Sequence, residues 1–172
     1  MLKLRRAALV LVVAAATCAS ALSDGHAAGT SSKSTSDASG PGQAYAMGND
    51  LVKQGKFADA IPLFEKAAKL DPQNADAYNM LAYSQRRSGQ LDAAFENYEK
   101  ALALDPNHKG AHEYLGEAYL MVGKVDKAEE QLNALKTLCP SGCNESRMLL
   151  KSVQHFKETG KSSSLEGSTS TW

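Results

Sequence analysis

ADAYNMLAYSQRRSGQLDAAFENYEKALALDPNH, residues 75–108, decides the fold, because the chain before and after it repeats its landmarks. Its glycine, Gly89, has counterparts at Gly55 and Gly123, and its proline, Pro106, has counterparts at Pro72 and Pro140, each set spaced by 34 residues. One period carried by two unrelated residue types marks internal repetition, and a period of this length belongs to stacked supersecondary units.

Set in three rows, 41–74, 75–108 and 109–142, the chain brings further columns into line. One holds Met47, Leu81 and Leu115, followed by Gly48, Ala82 and Gly116; another holds Ala60, Ala94 and Ala128, with Phe64, Tyr98 and Leu132 four residues on. Small residues let paired helices approach closely, and the large ones fill the space between layers. The glycines suit a left-handed position just past a first helix. The prolines stop a second helix, since proline has no N–H and restricts the residue before it.

These columns together resemble the tetratricopeptide repeat (TPR) family over residues 41–142. The resemblance implies an all-α fold, a solenoid of three helix-turn-helix repeats. Two columns depart from the family pattern: the first aromatic column reads Ala44, Tyr78, His112, and the last small column reads Ala67, Ala101, Leu135. The first and third repeats are therefore expected to pack less ideally than the second. Pro62 lies inside the Asp59–Leu70 helical pattern and is expected in its first turn, where a missing N–H breaks little. Beyond the third repeat, Leu149, Leu150, Val153 and Phe156 recur at helical spacing, which predicts a capping helix over 143–158 that covers the last layer.

The ends read differently. Lys3, Arg5 and Arg6, then the apolar run Ala7 to Ala16, then small residues around Ala21 form the basic, apolar and small-residue order of a secretory signal peptide, residues 1–28. Cleavage fits after Ala21, Ala27 or Ala28, with an uncleaved anchor or a lipidated Cys18 as alternatives. The 29–40 linker and the 159–172 tail lack core formers and are expected to be disordered. Basic and acidic residues balance at 19 each, and loss of residues 1–28 leaves 16 against 18, so no field draws the protein to nucleic acid or to an anionic membrane. A periplasmic or secreted location is the expectation that the leader implies.

By resemblance to TPR proteins, the first helix of each repeat lines a concave groove, and the residues facing it are Tyr45 and Asn49, then Asn79, Tyr83 and Arg86, then Glu113 and Glu117. Spacings of three and four keep them on one helix face. They are expected to behave as surface positions. Charge along this wall is banded, with Lys53, Arg86 and Arg87 toward the front and the two glutamates toward the back, which suits a partner carrying both signs. One TPR subgroup holds the C-terminal carboxylate of chaperones through lysine, asparagine and arginine. Only Asn49 has a counterpart here, with Tyr45, Met80, Gly110 and Tyr114 at the other positions, so that activity is not expected.

Cys139 and Cys143 flank Pro-Ser-Gly where the third repeat meets the cap, and in an oxidising compartment they form a disulfide that pins the two together. His108 and His112 are four apart, yet the first belongs to a loop and the second to a packing column, so no metal site is expected. No nucleophile–base pair, phosphate-cradling loop or paired carboxylate stands out, and no cofactor is implied. The expected function is a non-catalytic protein-protein interaction module of the bacterial envelope that binds a partner peptide or helix. The alternative is a self-associating structural protein.

Overall fold

The computed structural model describes residues 40–163, and the expected signal peptide and nearly all of the linker lie outside them. Seven helices follow one another, with no strand among the described residues: α1 (Pro41–Lys53), α2 (Phe57–Leu70), α3 (Ala75–Arg87), α4 (Leu91–Leu104), α5 (Lys109–Met121), α6 (Val125–Leu138) and α7 (Asn144–Thr159). α1, α3 and α5 are first helices at successive steps of 34 residues, and α2, α4 and α6 are second helices at the same step.

The turn inside each repeat is one motif built three times. Gly55, Gly89 and Gly123 have φ of 74, 83 and 74°, the left-handed region that an L side chain resists. In the first turn, Gly55 N–H donates to Val52 O at 2.9 Å and Lys56 N–H to Leu51 O at 2.9 Å, which satisfies the carbonyls that end α1. Second helices stop two residues before Pro72, Pro106 and Pro140, and the residue between leaves the helical region, extended at Asp105 (φ −134°, ψ 95°).

Pro62 departs from expectation. α2 begins at Phe57 and not at Asp59, so Pro62 is its sixth residue and removes the N–H that would have met Ala58 O. Both residues are on the exposed face, where water can take the carbonyl.

Packing follows the columns except at Met47, which is 47% exposed where Leu81 and Leu115 are buried. Ala60, Phe64, Ala94, Tyr98, Ala128 and Leu132 are all buried. A Cβ on Gly48 would come within 2.8 Å of the Phe64 ring, so only glycine lets α1 and α2 meet as they do. In the third repeat the equivalent neighbour belongs to the cap: a Cβ on Gly116 would come within 2.5 Å of Leu149 Cδ2. Leu132 is shorter than the Phe64 and Tyr98 of its column, and Leu149 joins it in one cluster with Leu120, Ala128, Leu135 and Val153.

The cap's apolar face is narrower than expected. Leu149 and Val153 are buried and Phe156 packs on the same cluster, but Leu150 is 37% exposed. A helix turns 100° per residue, so a stripe through 149, 153 and 156 leaves 150 to one side, and Ser146 and Ser152 take the flanking buried places. The first residues of the expected tail also pack: Gly160 ends α7 in a left-handed conformation, and Ser162 is buried.

First helices touch along the array, α1 with α3, α3 with α5, and α5 with the cap, whereas second helices of neighbouring repeats do not touch. The array therefore bends with its first helices on the inner side.

Candidate functional site

The inner wall carries two groups of the expected groove residues. At the front, Tyr45 packs edge-on to Phe64, with ring centroids 5.6 Å apart, and the Asn49 side chain acts on the Tyr45 hydroxyl. Burial, partly offset by Asn49, raises the tyrosine's pKa. Both side chains are half-buried.

The second group joins the second and third repeats around Arg86. This residue is not the surface position expected: it is 3% exposed. Its guanidinium pairs with Glu117 Oε2 at 2.9 Å, its Nε donates to the Tyr98 hydroxyl at 3.4 Å, and an Nη donates to Met121 Sδ at 3.7 Å. It also lies 5.4 Å from the Tyr83 ring centroid and 5.9 Å from that of Tyr114. Burial works against its charge, but the neighbouring Tyr98 and Glu117 more than offset it and raise its pKa. Asn79 is buried as well, at 5% exposure. For both, the expectation of a freely replaceable surface side chain is corrected, because adjacent first helices close over them.

The banded charge changes accordingly. Arg86 and Glu117 neutralise each other inside the wall, leaving Arg87 exposed toward the front and Glu113 half-buried toward the back. Glu113 has its pKa pushed up to about 7, first by burial and then by the carboxylates of Glu117 and Glu145, with Arg86 pulling the other way.

Aromatic rings line the same wall. Phe57 and Tyr83 stand 5.8 Å apart edge to face, and Tyr83 and Tyr114 stand 4.8 Å apart and tilted. Arg87 lies over the Phe57 ring at 4.2 Å and donates to the Tyr83 hydroxyl at 3.0 Å. Burial, together with Glu113 and Tyr83, raises the Tyr114 pKa to about 12. Phe57, Tyr98, Tyr114, Met121 and Glu145 were not among the expected site residues. Tyr114 could have been found from its place beside Glu113 on an inner helix; the others lie on second helices, at a helix end or in the cap, and only packing brings them near.

Away from the wall, His108 caps α5 by accepting from Ala111 N–H at 3.1 Å and faces Asp76 at 3.0 Å. His112 bridges Gln131 at 2.8 Å and Pro106 O at 2.9 Å. The two rings are thus engaged separately, and among the described residues no group of three metal-ligating side chains occurs. Cys139 and Cys143 are bonded through their sulfurs, with Cα atoms 5.8 Å apart. No described helix is long and apolar enough to cross a membrane.

Paired helices in register, closed by a cap and bent around a wall of first helices, define a helix-pair repeat solenoid. The chain belongs to the tetratricopeptide repeat family, whose models match residues 45–108 and 85–137. Among solved structures it is similar to the first TPR of Spaghetti (RPAP3) bound to the HSP90 peptide SRMEEVD, with a TM-score of 0.63 and 23% identity over 72% of this chain and 97% of that one. It is similar also to the Sgt2 TPR domain from Aspergillus fumigatus, with a TM-score of 0.62 and 22% identity over 70% of this chain and 80% of that one. The Yersinia enterocolitica type III secretion chaperone SycD, in complex with a peptide of the translocator YopD, matches with a TM-score of 0.59 and 23% identity over 68% and 88% of the two chains. No curated protein sequence matches.

Proposed function

We propose that the protein is a non-catalytic interaction module of the bacterial envelope that holds a segment of a partner protein, as an extended peptide or a helix, along its inner wall. The observation that carries this reading is the row of half-buried rings, Phe57, Tyr83 and Tyr114, which runs across three repeats beside Arg87. Rings that are fixed by their neighbours and still partly open offer contact area with little entropy left to lose, and tyrosine and arginine dominate binding hot spots. Structures of the same fold with a peptide bound, those of Spaghetti and SycD, lend the reading further support.

Export rests on the order of basic, apolar and small residues at the N-terminus, and the Cys139–Cys143 bond is compatible with an oxidising compartment. An intact mass of protein from its native cell that still includes residues 1–21 would remove this part of the proposal.

A photo-crosslinking amino acid placed at Tyr83 in the native cell tests the groove, with the same probe at Glu99 on a second helix as control. Binding along the inner wall gives a discrete adduct from position 83 and none from position 99. Adducts from position 99 alone would move the site to the outer face, and adducts to a second copy of this chain would favour self-association.

A further inference from the structure

The fold treats the two consecutive arginines at the end of α3 differently. Arg86 is buried and matched by Glu117 at 2.9 Å. Arg87 is exposed, yet its guanidinium is held in place by aromatic residues of two successive repeats: it lies 4.2 Å over the Phe57 ring and donates to the Tyr83 hydroxyl at 3.0 Å. Neither holder is a carboxylate. Among the described residues Arg87 makes no ion pair, whereas Lys53, Lys127 and Lys157 on the surface each have a carboxylate beside them.

A guanidinium carries about five N–H donors in a planar fork and no acceptor. One of them is taken by Tyr83, and stacking on Phe57 has already removed much of the side chain's freedom. Such an arginine is pre-organised for a planar anion with two oxygens, which it meets through two parallel hydrogen bonds. Beside the same ring a cavity of about 340 Å³ opens between the turns of the first two repeats, lined by Gly55, Lys56, Phe57, Ala58, Asp59 and Ser88. Lys56 and Asp59 offset one another there, so the excess charge at this step of the wall is that of Arg87. Phe57 belongs to the first repeat and Tyr114 to the third, with Arg87 between them in the second. A segment that uses the whole row of rings therefore carries its anion within its length and not at its end.

We infer that Arg87 receives, as a two-bonded pair, the side-chain carboxylate of an aspartate or glutamate inside the partner segment. The inference rests on the inner wall being the binding surface. Arg87 stands at none of the positions Tyr45, Asn49, Met80, Gly110 and Tyr114 that correspond to recognition of a chain end in one TPR subgroup, so it is a separate determinant of what the groove accepts. A lysine in its place would offer the charge without the fork or the stacking, so geometry is recognised as well as sign. Because the pair forms at an exposed site, it weakens as salt is added.

The probe is a capped heptapeptide with a central glutamate flanked by leucines and ended by alanines, titrated into the isotope-labelled protein with NMR detection. It is compared with a central glutamine version, a central lysine version, and the glutamine version with a free C-terminal carboxylate. The glutamate peptide is expected to shift the Arg87 Nε–H signal and to bind about threefold or more tightly than the capped glutamine peptide at low salt. Arg87→Gln is expected to abolish that preference and Arg87→Lys to lose most of it, with urea unfolding of each variant checking that the fold is kept. Equal binding of the glutamate and glutamine peptides to the parent protein overturns the inference while the groove reading stands. The same holds if the preference survives Arg87→Gln or is undiminished in Arg87→Lys, or if the free chain end moves the Arg87 signal and the central glutamate does not. If no peptide shifts Phe57, Tyr83 or Tyr114, the groove reading falls with it.

Discussion

Arg86 on α3 and Glu117 on α5 form a 2.9 Å ion pair in which the arginine is 3% exposed and the glutamate 16%. The pair ties the second repeat to the third from inside the wall on which we propose that a partner binds. A buried charge is tolerable only with its partner in place, and removing one member costs about 3 kcal/mol or more because the other is stranded. Arg86→Ala should therefore lower stability by about that amount in urea unfolding, and Arg86→Met with Glu117→Gln should recover part of it. A loss below about 0.5 kcal/mol, as at ordinary surface positions, would show that the arginine is not held as described.

Glu113 gives the fold a pH dependence of definite sign. Its folded-state pKa is raised to about 7 from 4.5. The folded protein therefore binds this proton more tightly than the unfolded chain. Stability drawn from the protonated form is fully present below about 4.5 and is lost as pH rises through about 7. For a half-exposed carboxylate, solvent screening brings the expected loss down to about 1 kcal/mol. Glu113→Gln should be more stable than the parent at pH 8 and nearly equal at pH 4.5, and identical pH profiles for the two proteins would refute the assignment.

The bond between Cys139 and Cys143 spans the junction of α6 and the cap. For so short a ring the chain-entropy estimate is roughly 2 kcal/mol. Protein taken from its native compartment should not react with maleimide until reduced, and Cys139→Ser with Cys143→Ser should lower the unfolding midpoint accordingly. Two reactive thiols in untreated material would mean that the bond is not used.

The repeat register was legible because glycine, proline and small-residue columns each answer a backbone or packing demand that recurs every 34 residues. Burial of Arg86 was legible too, though its charge concealed it: the same column holds Val52 and Leu120, and Leu120 is 1% exposed, so the position is a packing one. Its pairing with Glu117 was not legible. Column arithmetic places residues on adjacent helices but does not say which long side chain reaches across. Pro62 was misplaced because Phe57 and Ala58 carry no capping signal, and only the Gly55 turn fixes where α2 begins.

On the inner wall, Tyr83 and Asn49 are half-buried and lie outside the Arg86–Glu117 ion pair. Tyr83→Ala with Asn49→Ala should weaken capture of a groove-bound partner by about 2 kcal/mol, with Glu96→Ala and Glu99→Ala on α4 as the outer control. Arg86→Ala is unsuitable, since a loss of affinity there would not be separable from a loss of fold. Equal loss from the outer pair, measured against the crosslinked partner, would contradict binding through the inner wall.

The cap offers a test of packing that needs no partner. Leu149 is 0% exposed, and its Cδ2 would lie 2.5 Å from a Cβ on Gly116. Leu149→Ala should cost about 3 kcal/mol through the cavity it leaves in the cluster with Leu132 and Leu135. Gly116→Ala gains helix propensity of about 1 kcal/mol, yet it forces the leucine off its place, so the net effect should still be destabilising by about 1 kcal/mol. In the double variant the new methyl meets the space that the leucine vacated. The two changes together should then cost less than their sum by about 1 kcal/mol or more, a coupling read from a double-mutant cycle in urea. The same cycle between Gly116→Ala and Phe64→Leu, in the separate cluster of the first repeat, should be close to additive. Strict additivity of the Gly116 and Leu149 changes would mean that the cap does not seat its leucine on that glycine.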